Sequence, residues 1–144
     1  MRVQTATRIG GCAFVVTGAG HLILGSLLPS TGDLLVIERQ MAQVLFPIPP
    51  RHSMAHLMDG FSVTMSLLLI AWGLSVLGTT RHGRAPERAQ VVLMLVLSVG
   101  LLVTAVLRLP APPIVLMGVA SVAFAVALNA SRREAAPAGA ASRS

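Results

Sequence analysis

A chain of 144 residues with 54% hydrophobic and 11% charged side chains is more apolar than a soluble domain, in which about 25% of the residues are charged. Its net charge of +6 comes from arginines scattered between apolar runs, and aromatic residues make up 3% of the chain, which argues against a nucleic-acid partner. The single cysteine, Cys12, excludes a disulfide framework within one chain. We therefore expect an all-α membrane protein with one domain, residues 1–130.

Four apolar stretches have the length of about 17–25 residues that a helix needs to cross a bilayer. The first follows Arg2 and Arg8 as in a signal peptide, but it is as long as a full span and no small-x-small cleavage pattern follows it, so we interpret it as a retained helix. Prolines and glycines, which often start or end helices, lie at the boundaries of the other three stretches. We predict an antiparallel four-transmembrane-helix bundle with spans at residues 9–28, 55–78, 89–109 and 114–130, and a disordered tail at 131–144.

The arginines near the span ends predict the orientation of the chain. Eight flank one side, namely Arg2, Arg8, Arg81, Arg84, Arg88, Arg132, Arg133 and Arg143, and three flank the other, namely Arg39, Arg51 and Arg108. Because cytoplasmic loops carry the excess of basic residues, both termini are predicted to be cytoplasmic, in the inner (plasma) membrane of a bacterium. All eleven basic residues are arginine, which is typical of a GC-rich bacterial genome.

The outer loop between the first two spans has a helical pattern of its own. Leu34, Ile37, Met41, Val44 and Leu45 recur at helical spacing after three good helix-start residues, which are Ser30, Thr31 and Asp33. Polar side chains occupy the opposite side. This pattern predicts a short outer interfacial helix, which either connects two spans or covers a site beneath it.

The segment RHSMAHLMDG places His52, His56 and Asp59 within about 60° of one another if it is helical. Histidines at i and i+4 followed by a carboxylate resemble the spacing of metal ligands, so these three residues are a candidate transition-metal site. Met58 and Met65 point to a different face, which disfavours a copper site of methionine and histidine on this helix.

Depth in the membrane suggests which groups on different spans meet. Asp59 is level with Arg108 of the third span, and an ion pair would offset the cost of a carboxylate in the membrane. His21, inside the first span, maps opposite Ser62, within reach of Asp59. His56 lies about 9 Å shallower than His21, so the two rings are badly placed as opposed ligands of a b-type haem.

His21 therefore has two interpretations. In one, a neutral imidazole makes a hydrogen bond to a neighbouring helix, and Gly11, Gly18 and Gly25 at heptad spacing allow that helix to approach closely. In the other, the ring accepts a proton or binds a ligand in a pocket at the outer leaflet. The residues of this candidate outer-leaflet site are His21, His56, Asp59 and Arg108.

The first half of the chain carries a family resemblance. Gly-x-Gly-His-Leu at Gly18 to Leu22, Met-Asp-Gly-Phe-Ser at Met58 to Ser62, and Trp72-Gly73 resemble segments of a group of small bacterial four-helix integral membrane proteins of unknown function. The resemblance implies a four-helix bundle and supplies no activity.

Two functions remain open. We expect an accessory or scaffold subunit whose polar residues stabilise the bundle, without a cofactor and without an enzymatic reaction. The alternative is a protein that binds a small molecule, a proton or a metal, and that could include an enzyme. The expected partners are membrane lipid, including anionic lipid near Arg132 and Arg133 at the cytoplasmic face, and another copy or another membrane protein.

Overall fold

The computed structural model describes residues 2–81, 85–109 and 111–135. Within this part of the chain there are five α-helices and no β-strand. Four of the helices are long and apolar enough to cross a membrane, as in a multi-pass membrane protein. The helices are α1 (Val3–Leu27), α2 (Asp33–Gln43), α3 (Met54–Thr79), α4 (Arg88–Arg108) and α5 (Ala111–Ala135).

The first helix begins at Val3, ahead of the start predicted at residue 9. The prediction was wrong because it counted the polar residues before Ile9 as outside the helix. From Val3 onward they are helical, and two of them make side-chain hydrogen bonds: Thr7 Oγ1 donates to the carbonyl oxygen of Val3 at 2.9 Å, and Arg8 donates to Thr80. A polar side chain that hydrogen-bonds within its own helix or to a neighbour need not end the helix.

The last helix begins at Ala111 and ends at Ala135, so it is longer at both ends than the predicted span 114–130. Pro112 and Pro113 lie in its first turn, where backbone N–H groups have no helical partner and the absence of an N–H carries no penalty. The predicted disorder is wrong for residues 131–135. The rest of the predicted tail, residues 136–144, lies outside the described residues.

The chain divides into two compact units, and the prediction of a single domain stays a prediction. Unit 1 contains the described residues of 1–17 and 69–144, and unit 2 contains residues 18–68. The core of unit 1 is built around Phe14 and Phe124, both fully buried, with ring centroids 6.3 Å apart. Gly10 lies directly against the Phe124 ring, so a side chain at position 10 would displace that ring.

In unit 1, α1 and α3 pack closely and run in opposite directions. Arg8 contacts Thr80, Gly11 lies against Val76, and Val15 lies against Gly73. A Cβ at Gly73 would lie 2.7 Å from the carbonyl oxygen of Gly11 and 2.9 Å from the backbone nitrogen of Val15. Glycine is therefore required at position 73 because two backbones meet there.

The helices α4 and α5 complete unit 1 and contact each other along their lengths. Buried serines join them, because Ser121 Oγ lies 3.3 Å from Ser98 Oγ and also donates to the carbonyl oxygen of Met117. At the start of α4 the Gln90 side chain accepts a hydrogen bond from the backbone N–H of Glu87 at 3.1 Å. This contact supplies an acceptor for one of the N–H groups that a helix start leaves unpaired.

Unit 2 contains α2, the loop that follows it, and the adjoining turns of α1 and α3. The predicted loop helix exists, but it ends at Gln43, because Val44 and Leu45 have left the helix and Leu45 pairs with Ser53 in an isolated bridge. Its start is capped by none of the predicted residues. Gly32, at a φ of 59°, holds the N-cap position without a side-chain hydrogen bond. None of the α2 residues is buried.

Candidate functional site

His21 and Ser62 form the hydrogen bond that joins α1 to α3 in unit 2. His21 Nε2 lies 2.8 Å from Ser62 Oγ. Their equal depth in antiparallel spans predicted that these two residues lie opposite each other, and the bond confirms that prediction. Gly18 and Gly25 of the predicted glycine line belong to this unit with His21, and Gly25 has no atom within 4 Å of the place a Cβ would take. The close approach predicted for it is therefore wrong, and the polar pair makes the contact instead.

The chemistry of this pair leaves hydrogen-bonding capacity free. If His21 Nε2 donates to Ser62, the serine hydroxyl proton and His21 Nδ1 remain free; if the serine donates, Nδ1 carries the free proton. Either tautomer leaves one free donor and at least one free acceptor, since the structure gives these atoms no other side-chain partner in unit 2. His21 is also exposed, meaning that other residues of this chain leave it uncovered.

Asp59 lies one turn before Ser62 on α3 and is exposed. In unit 2 it makes neither a hydrogen bond nor an ion pair, so His21 contacts Ser62 and not Asp59, which was predicted to lie within its reach. Arg108 is the last residue of α4 and is exposed. Asp59 and Arg108 belong to different units, and their ion pair stays a prediction.

The two histidines of RHSMAHLMDG do meet, although not for the predicted reason. Helix α3 begins at Met54, so His52 lies outside it and the helical spacing does not apply to that residue. The backbone of His52 instead bonds to the loop, accepting from Phe46 N–H and donating to the carbonyl oxygen of Pro50, both at 2.9 Å. These bonds bring its ring onto that of His56, with centroids 5.8 Å apart and planes at 13°.

This stacked arrangement is a poor metal chelate. Imidazole lone pairs lie in the ring plane, so two nearly parallel, stacked rings do not aim at one ion. Among the described residues, no three His, Cys, Asp or Glu side chains are grouped so that they could hold a metal ion. The candidate metal set of His52, His56 and Asp59 therefore reduces, in this structure, to a pair of imidazoles.

The imidazole pair borders a groove on the first turns of α3. The α3 groove has a volume of about 340 Å³ and is lined by His52, His56, Leu57, Gly60, Phe61 and Thr64. Gly60 lines the groove and leaves open space there, because no atom lies within 4 Å of the place where a Cβ would stand. The groove thus combines polar rings at one end with an apolar wall below them.

Unit 1 contains two polar features that sequence reasoning missed. Arg8, which was counted only for its charge, donates from Nε to Thr80 Oγ1 at 3.2 Å and from Nη2 to the Thr80 carbonyl oxygen at 3.0 Å. Trp72 Nε1 is buried without a hydrogen-bond partner among the described residues. The antiparallel depth mapping, applied to Arg8, would have identified the end of the second span as its neighbour.

Comparison with known proteins adds no relative. No family model, no curated protein and no solved structure matches this chain. The resemblance to small bacterial four-helix membrane proteins therefore stays a prediction, and the contacts described above carry the functional argument.

Proposed function

We propose that this chain is an accessory or scaffold subunit of the bacterial inner membrane, whose polar side chains hold its helices together. The hydrogen bond between His21 and Ser62 carries the proposal. A histidine within a membrane span is costly, and such residues usually face other helices or mark a functional site. Here the ring bonds directly to a neighbouring helix, which accounts for its presence without a catalytic role.

The uncovered surface of the helices supports the same proposal. In each of the four candidate membrane spans, between 17% and 33% of the residues are buried by the rest of the chain. Large apolar side chains on α3 and α5 remain exposed, among them Met65 at 52% and Val122 at 64%. These faces are available to lipid, to another copy or to another membrane protein, and packing of small and apolar faces is how membrane helices associate.

The orientation belongs to the proposal as well. We infer an antiparallel bundle with cytoplasmic termini from the distribution of the arginines in the sequence. Two of these arginines, Arg84 and Arg143, lie outside the described residues. The connection that holds α2 then lies at the outer face. Its exposed apolar residues, such as Leu34 and Ile37, fit the interface between headgroups and acyl chains. At the inner end, exposed Arg132 and Arg133 would contact anionic lipid.

Site-specific photo-crosslinking in intact membranes tests the scaffold role. A photoreactive residue replaces Met65, which is exposed on α3, and in a matched variant it replaces Ser66, which is fully buried beside it. A scaffold predicts a discrete protein adduct at an exposed position, identified by mass spectrometry as one partner or a second copy, and none at Ser66. If a scan of the exposed positions of all four long helices gives lipid adducts alone, the scaffold role is excluded.

The α3 groove favours a second candidate function, the binding of a small molecule or a proton; binding of a metal, for which the stacked rings are poorly placed, is tested beside it. The observation behind it is the stacked pair of His52 and His56 at the edge of an open groove. We assign no reaction to it. For the metal version, the purified protein incubated with Zn²⁺ or Cu²⁺ should retain the metal on gel filtration and lose it in His56→Ala. Failure of the parent protein to retain either ion would remove the metal version.

A further inference from the structure

We propose that the α3 groove binds one anionic phospholipid, with its phosphate at the imidazole pair and an acyl chain along the helix below. The groove is a single site of about 340 Å³ within unit 2. The proposal does not depend on the scaffold role, because a lipid can occupy this groove whether or not the helices hold a protein partner. This lipid site is separate from the lipid contact proposed for Arg132 and Arg133, which lie near the C-terminal end of α5.

The polar end of the groove suits a phosphate. His52 and His56 present two nearly parallel rings with centroids 5.8 Å apart. A phosphodiester has several acceptor oxygens and can accept one N–H bond from each of two parallel rings, whereas one metal ion needs lone pairs that converge. Arg51 adjoins His52 in the chain, is exposed, and has no partner among the described residues. Its guanidinium adds a positive charge next to the pair.

Two of the first backbone N–H groups of α3, those of Met54 and His56, already have acceptors within the chain. Ser53 Oγ already accepts the backbone N–H of His56 at 3.3 Å, and the N–H of Met54 donates to the carbonyl oxygen of Val44 at 2.8 Å. Recognition therefore falls on the imidazole side chains and on Arg51. Asp59, the acidic residue of these turns, is not among the residues that line the groove.

The rest of the groove suits a hydrocarbon chain. From His56 the lining residues follow α3 through Leu57, Gly60 and Phe61 to Thr64, a length of about 12 Å at 1.5 Å per residue. Phe61 is 69% exposed and forms an apolar wall, while Gly60 leaves the floor open. A molecule that is anionic at one end and apolar for at least this length matches the order of these groups.

Gly60→Leu tests the site with little risk to the fold. The new side chain meets no atom within 4 Å at its Cβ, and leucine favours a helix more than glycine does, but the side chain projects into the groove. Gly25→Leu is the matched control, since position 25 is equally open and lies outside the groove lining. His52→Ala combined with His56→Ala removes the polar end.

The full chain is reconstituted in nanodiscs of equal phosphatidylglycerol and phosphatidylcholine, extracted into detergent, and analysed for retained lipid by native mass spectrometry. We expect one phosphatidylglycerol per chain, retained in Gly25→Leu and reduced about fivefold or more in the double histidine variant, since each lost cationic or donor group near a lipid surface weakens binding by about that factor. Retention should also fall in Gly60→Leu, because the leucine side chain takes the space of the acyl chain in the groove. Circular dichroism confirms that each variant is folded.

Two further arms identify the source of the phosphate. Short-chain phosphatidylglycerol should displace the retained lipid, and inorganic phosphate at the same concentration should not, because it lacks the apolar part. Equal retention of phosphatidylcholine, unchanged retention in Gly60→Leu, or displacement by inorganic phosphate would each overturn the proposal. Retention of Zn²⁺ in place of lipid, lost in the double histidine variant, would overturn it in favour of a metal.

Discussion

Gly73 lies against Gly11 so closely that a Cβ at position 73 would be 2.7 Å from the carbonyl oxygen of Gly11. Two of the three nearest atoms, the carbonyl oxygen of Gly11 and the nitrogen of Val15, belong to backbone and cannot rotate away. We expect Gly73→Ala to force α1 and α3 apart and to lower the free energy of unfolding by about 1–3 kcal/mol, as overpacking does. Unfolding of the full chain in mixed micelles, followed by circular dichroism against the mole fraction of SDS, measures the change.

Gly78→Ala is the control for this prediction. Position 78 lies on the same helix, but no atom lies within 4 Å of its added Cβ. Alanine should be neutral there or stabilise the helix by up to about 1 kcal/mol. Equal stability of the two variants would show that the helices do not meet at Gly73.

Arg8 should stabilise unit 1 by its two bonds to Thr80, whose carbonyl is near the end of α3 and whose side chain is fully buried. We expect Arg8→Ala to lower the free energy of unfolding by about 1.5–3 kcal/mol, the range for hydrogen bonds that involve charged groups. Arg8→Lys should restore part of the loss, because an ammonium cannot reproduce the two-nitrogen fork. Arg2→Ala also removes one positive charge, but the Arg2 side chain makes no hydrogen bond to the described residues. It should therefore lower the free energy of unfolding by less than Arg8→Ala in the same assay.

His21 and Ser62 should couple energetically. Interhelical hydrogen bonds in membranes average about 0.6 kcal/mol and reach about 1.7 kcal/mol, so a double-mutant cycle of His21→Ala and Ser62→Ala should give a coupling in that range. Ser66→Ala provides the control, because Ser66 Oγ bonds to the carbonyl oxygen of Ser62 within its own helix and should not couple to His21. Additive effects of His21 and Ser62 would mean that the bond contributes nothing.

Hydropathy predicted the four long helices because crossing a bilayer requires a long apolar segment, and composition alone reports that property. It failed at helix ends. Residues 3–8 and 131–135 are helical although most of them are polar, and composition cannot show that Thr7, Arg8 or Ser131 bonds to a nearby carbonyl.

The site was predictable to the extent that it followed from helix geometry. Counting residues by depth in antiparallel spans placed His21 opposite Ser62, because that argument needs only a constant rise per residue. The position of His52 was not predictable in this way. It depends on loop hydrogen bonds to Phe46 and Pro50, which have no periodicity in the sequence, and the same loop creates the polar end of the α3 groove.

Cysteine labelling should give the inferred orientation of the chain. Cys12 is the single native thiol and is replaced by serine, after which Ser30→Cys reports on the connection before α2 and Ser144→Cys reports on the C-terminus, outside the described residues. Because arginines concentrate on the cytoplasmic side, an impermeant maleimide should label Ser30→Cys in intact cells and should reach Ser144→Cys only after permeabilisation. The reverse pattern would place the α3 groove at the cytoplasmic leaflet. Labelling of both in intact cells would put both sites outside and rule out the odd number of spans, three, predicted between them.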